Sequence, residues 1–552
     1  MLLLRKKFSV CLRLAVILLT SCCGCASFGE AMLQYFNTDW TEITRKMPEL
    51  AEAGYSSLWL PPPTKGSGGL SVGYDLWDPF DLGSKNQRNT VRTRYGTEGE
   101  LLELVKTAHR FGIRVYFDNI MNHRAFDIPG FNEDTPIDVY PGMVPEDFHL
   151  RITQEGFYRK WDNTRDWNSA WQVQNLGLAD LIDVAQEPGA TNFNFGPNEG
   201  DTSPKIKFIR DLERPEQYAH DKDGNYVGFG GLLLIAKDLL VTESNPSPSE
   251  TQIKVRAQQY LQDNASVYEE WVEDYLNRSV RWLIDRTKAD GLRLDAVKHI
   301  RADFFGATYG ADKDTSDYGY LGQVQRQFNL TRGFSDGNHR DTVFDTGAPR
   351  DDAMVFGEHL GEPPGYDPYF DSGMRLVDNP LRTEFNNRLG SPYNGLNGFD
   401  SPGAGGFDPA LTVMHAQSHD NDYAARRELQ HAMYFTRAGL GLLYTDGNYQ
   451  AETLGESGGA FPRHSNTSFL GQWDDPRVPN LLYIHEQFAR GYQQGKWSDS
   501  DVVIYERVDK RENPSMSDGD GVILLFMLND NYSAGQGRSF GTHFPATAGG
   551  SD

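Results

Sequence analysis

The chain has 552 residues, with 77 Asp+Glu against 53 Lys+Arg and a formal net charge of -24 at pH 7. A field of this sign repels phosphate backbones and anionic membrane surfaces, so we expect no nucleic-acid partner. The length allows more than one domain, and 38% hydrophobic with 24% charged residues is ordinary for a globular protein.

The first 25 residues have the order typical of an export leader. Basic residues 5–7 precede an apolar run at 14–19 that is too short to span a bilayer, and small residues follow. Leu19-Thr20-Ser21-Cys22 is also typical of a bacterial lipoprotein processing site, where Cys22 would carry the lipid. We therefore expect an exported protein, either secreted or held at the cell surface or in the periplasm through Cys22. All four cysteines lie in this leader, so we expect no disulfide in the rest of the chain.

Strand and helix patterns alternate from residue 31 to 123. Apolar runs predict strands at 31–36, 55–60 and 113–118, and helical spacing of apolar residues predicts a helix at 40–53. Thr97 with Glu100 three positions later forms a capping box, which predicts the start of another helix.

The periodicity is lost between residues 124 and 263, where Asn, Gly, Pro and Asp are frequent. A structureless loop of this length is implausible inside a compact domain, so we predict an inserted domain. Regular patterns return over residues 264–496, beginning with a second capping box at Ser266 and Glu269. Further strands are predicted at 291–295, 353–357, 374–377, 412–416 and 439–444.

Eight strands in strand-helix order predict an α/β fold. We expect a (β/α)8 TIM barrel with a large inserted domain after its third strand, and an open doubly wound sheet is the alternative. Residues 497–552 predict a C-terminal antiparallel β domain with strands at 502–508 and 522–528. We expect this domain to be incomplete, because two strands alone are marginally stable.

The stretch from Gly291 to His299 has the pattern of a buried strand that ends in a charged loop. Side chains alternate along a strand, so Arg293 and Asp295 are expected on one face. The guanidinium should favour the ionised acid and lower the pKa of Asp295, which suits a nucleophile. A structural Arg-Asp pair explains the same residues about equally well.

Acidic residues follow several predicted strands, where a barrel places its active site. Asp295, Glu358 and Asp420 follow three of them, and a fourth contributes Asp118 with Asn122 and His123. Like charges raise one another's pKa, so one acid can stay protonated and donate a proton while another attacks. Glycosidic bond cleavage needs this division of roles.

The motifs in these places resemble the strand-end motifs of the α-amylase family of glycoside hydrolases. They are, in order, Asp118 to His123, Gly291 to His299, Gly357 to Leu360, and Ser418 to Asp420, and Leu178 to Asp183 resembles the motif of the family's inserted domain. Trp59 to Pro62 and Thr90 to Thr97 are similar to the bacterial liquefying α-amylases. The resemblance runs from about Ala31 to the end of the chain.

This resemblance implies a role for each site residue. Asp295 would be the nucleophile, Glu358 the general acid/base, and Asp420 a third carboxylate that binds sugar hydroxyls. Substrate-binding roles are implied for an orienting arginine, an aromatic platform and four further polar residues, which are Arg293, Tyr74, His123, His419, Lys298 and His299.

The resemblance also implies calcium as cofactor. Asn122, Asp180 and the backbone carbonyl of His299 match the family's ligands, all of them oxygen donors that suit a hard cation. From the residues alone, a turn role for Asn122 and a helix-cap role for Asp180 are favoured instead. Trp59 and Trp77 are expected in the core rather than against sugar.

The implied function is a retaining, endo-acting hydrolase of α-1,4-glucosidic bonds in starch or maltodextrin, acting as a monomer on α-glucan chains. Two alternatives stay open: a transglycosylase or exo-acting enzyme on the same scaffold, and a non-catalytic glucan-binding protein. Gln417 and Ser418 stand where many relatives have an acid and Asn before the His-Asp pair, so a chloride requirement is not expected.

Overall fold

The computed structural model describes residues 30–125, 140–141, 148–149, 151–153, 156–160, 163–179, 181–186, 236–243, 245–253, 255–256, 259, 272–306, 319–333, 353–390, 395–421, 424–447, 477–509, 521–531 and 537–542. The predicted leader with Cys22, the capping box at Ser266 and Glu269, and the predicted calcium ligand Asp180 lie outside these ranges. Export and lipid anchoring therefore stay predictions.

Eight parallel strands close into a barrel, as predicted. Each strand pairs with the strands before and after it in the chain, and the last pairs with the first. The barrel strands are β1 (Ala31–Phe36), β2 (Ser57–Leu60), β3 (Arg114–Asn119), β4 (Gly291–Leu294), β5 (Met354–Gly357), β6 (Arg375–Val377), β7 (Thr412–His415) and β8 (Leu440–Asp446).

Helices connect and surround these strands. Among the described residues they are α1 (Trp40–Ala53), α2 (Glu98–Arg110), α3 (Ala170–Asn175), α4 (Val272–Thr287), α5 (Ala302–Phe305), α6 (Gly319–Thr331), α7 (Asp367–Asp371), α8 (Asn379–Gly390), α9 (Arg427–Tyr434) and α10 (Arg477–Phe488). The predicted capping box at the start of α2 is present, with Thr97 and Glu100 each satisfying the other's backbone N–H. No described helix is both long enough and apolar enough to cross a membrane.

The core forms two layers because both faces of a parallel barrel sheet are buried. Inside the barrel, an apolar cluster built around Met32, Trp59 and Phe356 reaches up to the half-buried Tyr74. A larger cluster fills the space between the strands and the outer helices. Most residues of the barrel strands are therefore apolar. The acidic residues of the predicted site lie where the strands end.

The insertion follows the third strand, as predicted. Its described parts contain helix α3 and two short antiparallel ladders, which pair His123–Arg124 with Ile182–Asp183 and Arg151–Thr153 with Gly156–Lys160. The first ladder joins the end of β3 directly to the insertion, since Asn122 O accepts a hydrogen bond from Val184 N at 2.9 Å.

The C-terminal sheet has three described strands rather than the two predicted. They are β9 (Tyr492–Ser498), β10 (Val502–Val508) and β11 (Val522–Asn529), and they pair antiparallel in that order. The sequence prediction missed β9 because its residues, YQQGKWS, contain no apolar run, and only Gln493 is buried. Pairing with the fully buried β10 makes this polar segment a strand.

Gly291 begins β4 against the backbone of β5. A Cβ at this position would lie 1.9 Å from Met354 O. We therefore expect Gly291→Ala to lower the free energy of unfolding by at least about 2 kcal/mol, as overpacking against an immobile backbone does. Denaturant unfolding of the purified variant would measure this.

Gly99 provides the matched control. It lies in α2, where an added Cβ would meet nothing within 4 Å. Gly99→Ala should keep or raise stability, by up to about 1 kcal/mol, because alanine favours the helix. Equal stability of both variants would contradict the close approach of β4 and β5.

Candidate functional site

Three carboxylates surround one buried guanidinium at the C-terminal ends of the barrel strands. Arg293 Nη1 donates to Asp118 Oδ1 at 2.9 Å and to Asp295 Oδ1 at 2.7 Å. Its Nη2 lies 2.7 Å from Glu358 Oε1. The acids stand at the ends of β3, β4 and β5, which are neighbours in the barrel. The fold therefore brings the predicted nucleophile and the predicted acid/base onto one cation.

Asp420 approaches this cluster from the end of β7. Its side chain is 47% exposed, and its Oδ2 lies 3.3 Å from His419 Nε2. The negative charge of Asp420 acts on Glu358 and raises the pKa of that carboxyl. All three predicted catalytic acids thus meet at one place, open to solvent on the side of Asp420.

The backbone after β4 holds Glu358 from the other side. Ala296 N lies 3.3 Å from Glu358 Oε2 and donates to it. Ala296 has φ 51°, in the left-handed region that residues with a Cβ seldom adopt. Such conformations are retained where surrounding contacts fix them, often at functional sites.

The cluster holds more carboxylates than one guanidinium can neutralise. Burial raises the pKa of Glu358 to about 7; Arg293 opposes this shift and Asp420 adds to it. Burial, again opposed by Arg293, also raises the pKa of Asp118 to about 7. The acids therefore share protons near neutral pH.

Asp295 corrects one expectation. The sequence predicts that Arg293 lowers the pKa of Asp295, and the guanidinium does act in that direction. Burial has the larger effect, however, and the pKa of Asp295 is raised to about 7. The sequence identifies the neighbouring charge, whereas only the fold determines how much water is removed.

Trp59 packs against the guanidinium of Arg293 on the side of the barrel core. It is 2% exposed, which confirms its predicted place in the core, and the Arg293 guanidinium carbon lies 5.3 Å from the centre of its ring. Its ring also meets His419 edge-on at 5.8 Å. The guanidinium is therefore supported by an aromatic surface below and by carboxylates above.

A chain of hydrogen bonds links β1 to Asp118 through two predicted sugar-binding residues. Gln34 Nε2 donates to His419 Nδ1 at 2.7 Å, so the ring proton lies on His419 Nε2. This Nε2 lies 2.9 Å from Tyr74 Oη, and the Tyr74 hydroxyl in turn donates to Asp118 Oδ2. Burial, with a smaller effect of Arg293, lowers the pKa of His419 well below its ordinary value, so the ring is neutral. Each donor in this series of hydrogen bonds therefore points toward Asp118.

His123 lies on the opposite side of Tyr74. Its Nε2 donates to the Tyr74 carbonyl at 3.1 Å and lies 3.9 Å from Asp295 Oδ2. Burial, assisted by Arg124, lowers the pKa of His123 to about 3. His123 is therefore a neutral donor near the nucleophile and not a carrier of protons at neutral pH.

Lys298 and His299 lie in the short 3-10 turn that follows β4. Lys298 Nζ donates to Leu360 O at 3.1 Å, and burial lowers the pKa of Lys298 while Glu358 opposes the shift. His299 Nδ1 donates to Val173 O of α3 at 2.8 Å. His299 thus ties the insertion to the barrel beside the acids.

Of the predicted calcium ligands, Asn122 and His299 lie within the described residues. Asn122 Oδ1 is buried and has no hydrogen-bond partner among them, as expected for an oxygen kept for a cation. Asp180 is outside the described residues, and within them no group of three His, Cys, Asp or Glu side chains could hold a metal ion. Asn122 fits an oxygen-donor site, and the rest of the ligand set stays a prediction.

Two residues of the site have no predicted role. Asp118 was recognised only as an acid at a strand end, and its contacts show that it shares Arg293 with both predicted catalytic acids. Gln34 is fully buried within the apolar β1. A single polar residue in an otherwise apolar strand indicates that Gln34 has a buried polar partner. The sequence does not identify this partner, because His419 lies 385 positions away.

Comparison with known proteins finds a matching family model for the N-terminal part of the chain. The model of the α-amylase catalytic domain matches residues 26–175, a range that includes Tyr74, Asn122 and His123. The α-amylase of Bacillus licheniformis is 34% identical over 303 residues, which cover 51% of this chain and 48% of that protein. The α-amylase of Geobacillus stearothermophilus is 27% identical over 300 residues, covering 51% and 44%. The chain thus spans about half the length of the curated relatives it matches.

A solved structure agrees with the fold. The α-amylase of Geobacillus thermoleovorans, in complex with acarbose, aligns with a TM-score of 0.50 and 17% identity over 88% of this chain and 84% of that chain. At this identity the likeness concerns the fold alone. Together with the family model and the two relatives, it leads to one conclusion: residues 26–175 match the α-amylase catalytic domain, and the chain is similar to α-amylases.

Proposed function

We propose that the protein is a retaining, endo-acting hydrolase of α-1,4-glucosidic bonds in starch and related glucans. The observation that carries the proposal is the shared guanidinium, because Arg293 contacts Asp295 and Glu358 through different nitrogens at 2.7 Å each. Retaining cleavage needs two carboxyl groups close together, roughly 5 Å apart. The α-amylase relatives support the choice of substrate.

In the first step, the Asp295 carboxylate attacks the anomeric carbon and forms a covalent glycosyl-enzyme. Glu358 gives its proton to the glycosidic oxygen, so the leaving glucan departs with a free hydroxyl. In the second step, Glu358 takes a proton from water as the water oxygen attacks the same carbon and releases Asp295. Two inversions at one carbon retain the configuration.

The surrounding groups assist both steps. Arg293 would orient Asp295 and, as the proton leaves Glu358, stabilise the new carboxylate. Neutral His123 and His419 would hydrogen-bond the sugar at the cleavage point, and Tyr74 would support the apolar face of the ring. Asp420, the most exposed acid of the cluster, would bind sugar hydroxyls. Bound calcium, held by Asn122, Asp180 and the His299 carbonyl, would supply a fixed positive charge that joins the insertion to the barrel.

Substitution separates the roles of the two acids. We expect Asp295→Asn and Glu358→Gln each to lower kcat/KM on maltoheptaose by about 1,000-fold or more. On an α-maltoside with a dinitrophenolate leaving group, which needs no proton, Glu358→Gln should still form the glycosyl-enzyme and release a burst of dinitrophenolate, whereas Asp295→Asn should not. Rapid-quench and steady-state assays would measure both.

Glu103→Gln is the control, because Glu103 lies exposed on α2 away from the cluster. It should match the unchanged protein. Normal reducing-sugar release by either acid variant would refute the assigned roles. Chromatography of the maltoheptaose products tests the reaction type, since oligomers longer than the substrate would indicate transfer and a single product length cut from one end would indicate exo action.

The pH profile should report the carboxylates and not the histidines. Glu358 donates only when protonated, so kcat/KM should fall on the alkaline side as pH rises through about 7; Asp295 attacks only when ionised, so kcat/KM should also fall on the acid side as Asp295 takes up a proton. Asp420→Asn removes a negative charge that raises this pKa, so the alkaline midpoint of the residual kcat/KM should move to lower pH. An unchanged midpoint, with the Glu103→Gln control also unchanged, would contradict the coupling of these two acids.

Calcium should stabilise the fold through Asn122. A chelator should lower the melting temperature and added Ca2+ should restore it; a site filled at one hundred times its Kd contributes about 2.7 kcal/mol. Asn122→Leu should abolish this response to calcium, because it removes a buried oxygen donor. Differential scanning calorimetry measures the response without reference to activity, and an equal calcium response in Asn122→Leu would exclude Asn122 as a ligand.

A further inference from the structure

The 90–95 segment has no role in the proposed catalytic steps, although it belongs to a motif that resembles the liquefying α-amylases. It lies between β2 and α2, beside an antiparallel hairpin formed by Lys65–Gly66 and Leu76–Asp78. Tyr74 lies in the loop of this hairpin, and its hydroxyl donates to Asp118. The position of the hairpin therefore decides whether Tyr74 reaches the acids.

A buried ammonium fastens the base of this hairpin to the segment. Lys65 is fully buried. Its Nζ donates to Val91 O at 2.7 Å, to Arg92 O at 2.8 Å and to Thr90 Oγ1 at 2.9 Å. A buried charge is costly unless its hydrogen bonds are satisfied, so these three oxygens hold the segment and the hairpin base in one arrangement.

Two further side chains of the segment hold the loop of the hairpin. Arg94 Nη1 donates to Leu70 O at 3.2 Å. Tyr95 Oη donates to Val72 O at 3.0 Å. Both donor side chains are buried, with 2% and 1% of their residues exposed. The two carbonyls lie on the stretch of loop that leads to Tyr74, so the segment fixes the backbone directly before the tyrosine.

Arg94 also connects this loop to the barrel. Its Nη2 donates to Asn37 Oδ1 at 3.2 Å, and Asn37 Nδ2 donates to Asp446 Oδ1 at 3.0 Å. Asn37 follows β1, and Asp446 ends β8. A planar guanidinium presents its hydrogen bonds in fixed directions, and a charged donor makes them stronger than neutral ones. One side chain thus joins the loop of Tyr74 to the strand ends at the rim of the site.

We propose that Arg94 is a positioning residue, which holds Tyr74 where its ring supports the sugar and its hydroxyl bonds to Asp118. Lys65 assists by fixing the base of the same hairpin. The inference rests on the proposed function, which supplies the role of Tyr74. Arg94 acts on the reaction through Tyr74, and not by contact with the bond that is cleaved.

A double-mutant cycle tests whether Arg94 acts through Tyr74. Arg94→Met should lower kcat/KM on maltoheptaose about 10-fold, as expected for the loss of a hydrogen bond from a charged group. In a Tyr74→Ala background, Arg94→Met should change kcat/KM by less than about 2-fold, because the side chain that it positions is gone. Arg94→Lys keeps the charge without the planar fork and should recover part of the loss. No loss in Arg94→Met, or losses that multiply in the double variant, would overturn the inference.

Arg437→Met is the matched control. Arg437 is also buried, with 1% exposed, and donates to the backbone carbonyl of Ala404 at 3.3 Å, but it precedes β8 instead of following a strand end at the site. Its substitution should lower stability and leave the kcat/KM of the folded protein within about 2-fold. If Arg94→Met does not fold, Arg94→Lys enters the same cycle with Tyr74→Ala.

Hydrogen exchange separates this inference from the proposed function, because it needs no substrate. Hairpin amides such as Ser67 N, which donates to Asp75 O at 2.7 Å, should exchange about 10-fold faster in Arg94→Met and at an unchanged rate in Arg437→Met. Unchanged exchange in Arg94→Met would refute the positioning role, even if the unsubstituted protein cleaves maltoheptaose. If that protein cleaves no glucan, the proposed function fails, while exchange still decides whether Arg94 fixes the hairpin.

Discussion

Burial of Arg293 among acids is the interaction on which the site depends. Three carboxylates could not ionise together in a space with so little water, and the guanidinium makes their close approach possible. Burial raises the pKa of each acid that Arg293 contacts to about 7, because the guanidinium offsets only part of the effect of removing water. The same arrangement that stabilises the cluster therefore keeps one proton available within it.

Buried neighbours hold this cluster of charges in a fixed arrangement. Trp59 closes it from below, and the hydrogen bonds that run from Gln34 through His419 and Tyr74 point every proton toward Asp118. Buried hydrogen-bond networks of this kind fix tautomers as well as positions. His123 and His419 are neutral because burial lowers the pKa of each ring, so among the site residues described above the charges lie on the acids, Arg293 and Lys298.

The insertion is part of the same site rather than an addition to it. A short ladder from the end of β3 and the hydrogen bond from His299 to Val173 hold it against the barrel. These contacts place Trp167 of the insertion next to Lys298, which follows β4. The described parts of the insertion thus contribute to the cleft, because these polar contacts fix them against the barrel.

The sequence by itself determined the barrel and the acids at its rim, because apolar periodicity and charged strand ends are local patterns. It placed Arg293 beside Asp295 and Trp59 in the core, and both placements are confirmed. The tertiary structure alone decided the net direction of the pKa shift of Asp295, the polar strand β9, and the partners of Gln34 and Trp167. Each of these depends on water excluded, or on neighbours brought near, by segments far away in the chain, and no local pattern records such distances.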